Sequence, residues 1–257
     1  MTHPPSLDAT AVRTSRRPRP TIAGALADLV LDSGCAGCGH GEHVLCPTCA
    51  RALDGPAYAA PPDPAPAGLP TPWSIGPYAD VLRAVLLAHK EHARLALAGP
   101  IGVALARSVT AAAPGPGELV IVPVPSRRSA VRTRGHDALA RTARAAARAL
   151  RREGRSVAVL PVLRPGRRLD DQAGLSTERR RANLAGALVV PASLAPLVAG
   201  RRVVVVDDVV TTGSTLTEAV RALRVAGTGS VAVAVVAATV RRVAGVDTLL
   251  PRDGAAG

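Results

Sequence analysis

Hydrophobic positions along the chain alternate between two rhythms. Uninterrupted apolar runs occur at ELVIVPVP (118–125), VAVLPVL (157–163), RVVVVDD (202–208) and SVAVAVVAATV (230–240). Such runs, bounded by turn residues, read as strands, and their lack of polar alternation predicts burial on both faces. Between them, apolar residues recur on one helical face. The stretch 78–113 predicts helices interrupted near Gly99 and Pro100, 137–154 a helix ended by Gly154, and 214–227 a further helix. Strands separated by helices imply βαβ units, hence an α/β fold with a mainly parallel sheet.

The flanks differ. Residues 1–20 are rich in Pro, Arg and Thr and read as a disordered tail. IAGALADLVL (22–31) predicts an amphipathic helix running into a cysteine cluster, so 21–53 forms an N-terminal module. Residues 54–72 are Pro/Ala-rich and predict an extended linker. The main domain spans 73–242, and 243–257 is a C-terminal tail.

Chemistry concentrates in VVVVDDVVTTGSTL (203–216). In an open parallel sheet, ligands bind beyond the carboxyl ends of strands, which is where Asp207 and Asp208 fall. Thr211, Thr212, Gly213, Ser214 and Thr215 then lead directly into a helix. Backbone N–H groups at a helix N-terminus bind phosphate, while carboxylates accept from hydroxyls or hold a divalent cation. A ligand with a phosphate at one end and a ribose diol nearby satisfies both halves. A P-loop NTPase would need G-x-x-x-x-G-K-[ST], and the single lysine, Lys90, lies in LLAHKEHA. Plain N-capping by Thr or Ser accounts for one hydroxyl but not for the two acids.

All four cysteines fall in two C-x-x-C pairs, Cys35/Cys38 and Cys46/Cys49. Two such knuckles build a tetrahedral structural zinc site, and a module this small needs metal to fold. A redox dithiol and an iron–sulfur site are the alternatives, and His40 and His43 inside the loop are spare ligands.

Composition adds less. The chain has 257 residues, 47% hydrophobic and 20% charged, with a net charge of +13. That field attracts polyanions. However, every cation but Lys90 is arginine and Phe is absent, the mark of a biased composition with a solvated Arg-rich surface. No apolar run reaches the length of about 18 residues needed to span a membrane, and no apolar signal segment opens the chain. The expectation is a cytoplasmic protein without membrane insertion.

VVVVDDVVTTGST closely resembles the phosphoribosyl-pyrophosphate (PRPP) signature of type I phosphoribosyltransferases. The resemblance implies that Asp207 and Asp208 face the ribose 2′- and 3′-hydroxyls and are the catalytic pair, with 211–215 cradling the 5′-phosphate. A Cys₄ knuckle joined to such a motif resembles the ComF family, found in DNA-uptake competence, over most of residues 25–240. YADVLRAVLLAHK, VPVPSRR…RTRG and Gln172-x-x-Leu175…Arg180-x-x-Asn183 resemble further family segments. They imply a type I phosphoribosyltransferase fold with a small N-terminal zinc knuckle. They also imply a pyrophosphate loop at Val124, Pro125, Ser126, Arg127 and Arg128, with Arg132, Arg134 and Lys90 as further cations. Gln172, Arg180 and Asn183 would lie on a mobile loop within 164–183. The family's common Phe-Asn-Gln is here His136-Asp137-Ala138. His136 is either a base near the site or an exposed residue at the helix entry.

Two functions follow from the resemblance. One is Mg²⁺-dependent transfer of ribose 5-phosphate from PRPP to an unknown acceptor, releasing pyrophosphate. The other is non-catalytic sensing of PRPP by an accessory to DNA uptake, with single-stranded DNA or the uptake machinery as partner. Against DNA, residues 74–257 hold one aromatic, Tyr78, where single-strand platforms usually stack several.

Overall fold

The computed structural model describes residues 34–166 and 186–239. The tails, the helix expected at 22–31 and the loop positions Gln172, Arg180 and Asn183 lie outside the described residues.

A seven-stranded sheet forms the centre, in the order β1-β2-β9-β8-β4-β5, with β3 also paired to β9. Its strands are β1 (Tyr58–Ala59), β2 (Pro72–Ser74), β3 (Gly76–Pro77), β4 (Leu119–Pro123), β5 (Val157–Val159), β8 (Arg202–Val210) and β9 (Ser230–Ala238). All pairings are parallel except β1 with β2. β6 (Arg164–Pro165) and β7 (Leu188–Val189) make a separate antiparallel ribbon. Helices are α1 (Pro47–Ala50), α2 (Asp80–Glu91), α3 (Ala98–Ala112), α4 (Arg128–Arg134), α5 (Ala138–Arg152) and α6 (Ser214–Val225).

The valine run has the place its pattern demands. Val203, Val204, Val205 and Val206 are fully buried in the central strand β8, alternate residues entering opposite core layers. Each such burial stabilises by about 1.5–3 kcal/mol. One layer holds α2, α3 and α5, the other holds α6. Without phenylalanine, helices close on small side chains: a Cβ on Gly102 of α3 would lie 2.4 Å from the Ala145 Cβ of α5.

Several boundaries differ from the sequence pattern. The helical break falls at His92–Arg94, and Gly99 and Pro100 sit in the first turn of α3, where proline costs no hydrogen bond. β5 stops at Val159, two residues before Pro161. α4 is a helix with no buried residue, so it carries no apolar periodicity to betray it. Residues 54–72, read from composition as a linker, supply β1 and the first residue of β2 at the sheet edge, where proline is tolerated. Pro62 and Pro66 within that stretch are buried. One helix, Leu95–Ala112, is 18 residues long with mean hydropathy 1.5. Its Leu97, Ile101, Leu105 and Val109 are at most 1% exposed inside the protein core.

Candidate functional site

The acids lie at the point where the sheet opens. β4 pairs with β8 as far as Pro123 and Val206, then turns away, while β9 continues beside β8 to Val210. Asp207 and Asp208 therefore lie just past the point where β4 leaves β8, the side of an open sheet on which ligands bind. Each carboxylate accepts from the next backbone amide: Asp208 N donates to Asp207 Oδ1 at 2.8 Å, and Val209 N donates to Asp208 Oδ1 at 2.9 Å. These local bonds fix both side chains. Lys90, near the end of α2, donates its ammonium to Asp208 Oδ2.

Charge is unevenly shared across this trio. Burial, and then the neighbouring charge of Asp208, push the Asp207 carboxyl well above the usual carboxylate range. Burial works against the Lys90 ammonium, but attraction from Asp208 and then Asp207 outweighs it and holds the amine above its ordinary value.

Immediately downstream, Gly213 adopts φ 72° and opens α6. No side chain among the described residues caps that helix, so its first amides keep their donors for an external acceptor. Thr217 is turned back, its amide and hydroxyl both donating to the Gly213 carbonyl at 2.8 and 2.9 Å. Thr212 and Ser214 hydroxyls pair at 3.1 Å, and Thr211, Thr212 and Thr215 are exposed around the turn. A Cβ on Gly213 would lie 2.7 Å from Leu69 Cδ2, so residues of the Pro/Ala-rich stretch back this turn.

The segment after β4 is less uniform. Val124 is buried, its amide bonded to the Val206 carbonyl at 3.0 Å. Pro125, Ser126 and Arg128 line a 230 Å³ cavity with Asp137 and Arg164. Ser126 Oγ donates to Asp137 Oδ1 at 3.1 Å, and the same oxygen caps α5 by accepting from Ala140 N at 3.0 Å. Arg127, Arg128 and Arg132 are exposed. Arg134 instead forms a two-pronged ion pair with Glu91, both bonds 2.9 Å.

His136 corrects the expectation of an exposed residue. It is 8% exposed, and its ring nitrogens face the carbonyls of Arg134 at 3.0 Å and His89 at 3.2 Å. It is buried at the helix entry, with both ring nitrogens turned to backbone carbonyls. Ala138 starts α5 and is buried, its carbonyl 3.2 Å from His89 Nε2.

At the N-terminal side, the four cysteine sulfurs lie within 4.8 Å of one another. Four sulfurs at tetrahedral zinc bonds of about 2.3 Å stand about 3.8 Å apart, close to the 4.0 Å between Cys38 and Cys46. Backbone amides of Cys46 and Gly37 donate to Cys35 Sγ at 3.2 and 3.4 Å. Burial alone would raise the Cys35 thiol, but amide donors outweigh it and bring it to about 6. Burial and the adjoining sulfurs push Cys49 up to about 12. The donor set fits a metal such as zinc, which would satisfy all four sulfurs as thiolates. His40 and His43 are exposed in the connecting loop. Ala36 and Leu45 pack the module onto the core layer containing α2.

Three further residues, Glu91, His89 and Glu218, hold the surroundings of the site and do not stand out in its motifs. Glu91 holds Arg134, and His89, lowered by burial, sits 3% exposed between two carbonyls. Glu218 of α6 is buried and accepts from the amides of Gly186 and Leu188 at 2.8 and 3.1 Å while paired with Arg221. An acid at a core-facing helix position is the signal that would have marked Glu218.

Residues 133–248 match the family model for the phosphoribosyl transferase domain. The fold is that of the phosphoribosyltransferases, a mainly parallel sheet flanked by helices, preceded here by the cysteine module. Among solved structures, one of the allosteric regulatory enzyme of purine biosynthesis is similar at 21% identity and TM-score 0.35. That similarity covers 54% of this chain and 26% of the other, so this chain spans about a quarter of that structure's length. No curated protein matches the sequence.

Proposed function

We propose that the protein binds PRPP through β8 and the turn into α6, and transfers its ribose 5-phosphate to an acceptor. The observation that carries this reading is the adjacency of Asp207 and Asp208 to an uncapped helix N-terminus opened by Gly213. The acids accept from the ribose 2′- and 3′-hydroxyls, and the amides and hydroxyls of 211–215 hold the 5′-phosphate. The C1–O bond breaks with its electron pair leaving on the diphosphate, and the acceptor's lone pair forms the new bond to C1 as its proton departs. Negative charge beneath the ribose stabilises the oxocarbenium-like state between these events. The hard oxygen donors of the two acids suit Mg²⁺ arriving with PRPP, and that ion supplies neutralisation of the diphosphate. Val124–Arg128 and Arg132 are positioned by the resemblance as the diphosphate side, with Gln172, Arg180 and Asn183 on the loop beyond. The pairing of a Cys₄ module with this motif supports the ComF family as the finer assignment, and with it a cytoplasmic location.

A second reading is binding without turnover, as a PRPP sensor associated with DNA uptake or handling. It draws on one observation: both ring nitrogens of His89 and of His136 are turned to backbone carbonyls, so neither ring presents a nitrogen to the acids. Incubating the protein with labelled PRPP, Mg²⁺ and a panel of bases and amines separates the two. Pyrophosphate release that depends on one acceptor supports transfer. Saturable binding with no consumption supports sensing, and no binding at all overturns both.

A further inference from the structure

Lys90 sits between two residues that the same segment grips. His136 Nε2 lies 3.2 Å from the carbonyl oxygen of His89, and His89 Nε2 lies 3.2 Å from that of Ala138. Arg134 donates two N–H groups to the two oxygens of Glu91, each at 2.9 Å. Residues 134–138 therefore hold positions 89 and 91 by side chain and backbone, while the side chain of position 90 reaches Asp208.

Such a grip is needed at this place. A lysine is a point charge on a flexible four-carbon stem, and its pairing depends on where the helix sets its Cα. The last turn of a helix frays unless tied down. A fork-to-fork Arg–carboxylate pair fixes distance and plane together. The two rings are buried, 3% and 8% exposed, so the single N–H that each neutral ring donates to a carbonyl is shielded from competing water.

We propose that Arg134 and His136 are positioning residues for the PRPP site: they clamp the end of α2 so that Lys90 meets Asp208. Arg134 thus acts through Glu91, not as a ligand of the diphosphate. The inference rests on the PRPP reading for its ligand but not for the clamp itself.

Lys90, as the only lysine, provides the readout. Protein grown on lysine labelled at ¹³Cε gives one side-chain signal, whose position in the Asp208→Asn variant marks the unpaired amine. Glu91→Gln and Arg134→Gln are each expected to move the signal toward that position and to weaken PRPP binding about tenfold. The exchange Glu91→Arg with Arg134→Glu restores both. His136→Leu, which removes the donor, acts like the single charge variants, while His136→Gln keeps a donor and is milder. If Arg134 were instead a diphosphate ligand, Glu91→Gln would leave affinity unchanged or higher and the exchange would bind as weakly as Arg134→Gln. Either result overturns the proposal, as does a Lys90 signal that stays put in all folded variants. Should the unaltered protein fail to bind PRPP while the signal moves as described, the clamp stands and the ligand reading falls.

Discussion

Lys90 and Asp208, 118 residues apart in sequence, form an ion pair that ties the end of α2 to β8. The pair is partly exposed, 39% and 22% by side chain, so its own contribution to stability is small. Its consequence is electrostatic: two adjacent carboxylates are held in place with one neutralised. Replacing Lys90 by Met removes that charge and leaves the acids repelling each other. PRPP affinity is expected to fall roughly tenfold and to depend more steeply on Mg²⁺, with the melting temperature nearly unchanged. Calorimetric titration across Mg²⁺ concentrations checks it.

Asp207 carries a stability prediction with a defined sign. Its folded value lies above the ordinary 3.8, because burial and Asp208 disfavour its charge. The neutral form therefore favours folding below pH 3.8, and that contribution is lost as pH rises through the folded value. Asp207→Asn cannot ionise, yet keeps an oxygen to accept from the Asp208 amide. The variant should melt at or above the temperature of the parent at neutral pH, and the difference should vanish as pH falls toward 3.8. Paired melting curves from pH 3.5 to 8 read this directly, with metal content held equal.

The cysteine cluster predicts about one zinc per chain. Four thiolates so close cannot all stay ionised without a cation, as the values of about 6 for Cys35 and about 12 for Cys49 indicate. Metal binding should therefore release protons, and a strong chelator should lower the melting temperature. Cys49→Ser should lose the zinc. Elemental analysis of anaerobically purified protein that finds none contradicts the assignment.

Gly213→Ala tests the phosphate cradle. A φ of 72° costs a residue with a Cβ about 1–2 kcal/mol, and the new Cβ meets Leu69 at 2.7 Å. PRPP affinity should fall at least tenfold, while zinc content is unaffected. Glu218→Gln should instead act on stability. Losing the charge that accepts two buried amides and pairs with Arg221 costs about 1–3 kcal/mol, measurable by urea unfolding.

Much of this site was legible in the residues themselves. Uninterrupted valines located β8, and the acids, glycine and hydroxyls marked its end and the turn into α6, because strand ends and helix starts impose their own residue types. C-x-x-C spacing located the cysteine cluster for the same reason. What stayed hidden depends on contacts across the chain. Arg134 has the sequence context of a free cation, yet Glu91 stands opposite it, and the end of α2 covers His136 at the helix entry. The stretch 54–72 resembled a tether because proline-rich edge strands have no periodicity. Only packing reveals that Leu69 stands behind Gly213.

The central claim is that the paired acids hold the ribose of PRPP. Its most direct test is the calorimetric affinity for PRPP with Mg²⁺ of the unaltered protein and of the Asp207→Asn/Asp208→Asn double variant, each with its melting temperature recorded. The account predicts saturable binding by the former, and a loss of at least a hundredfold in a variant that remains folded. Equal affinities in the two folded proteins would contradict it.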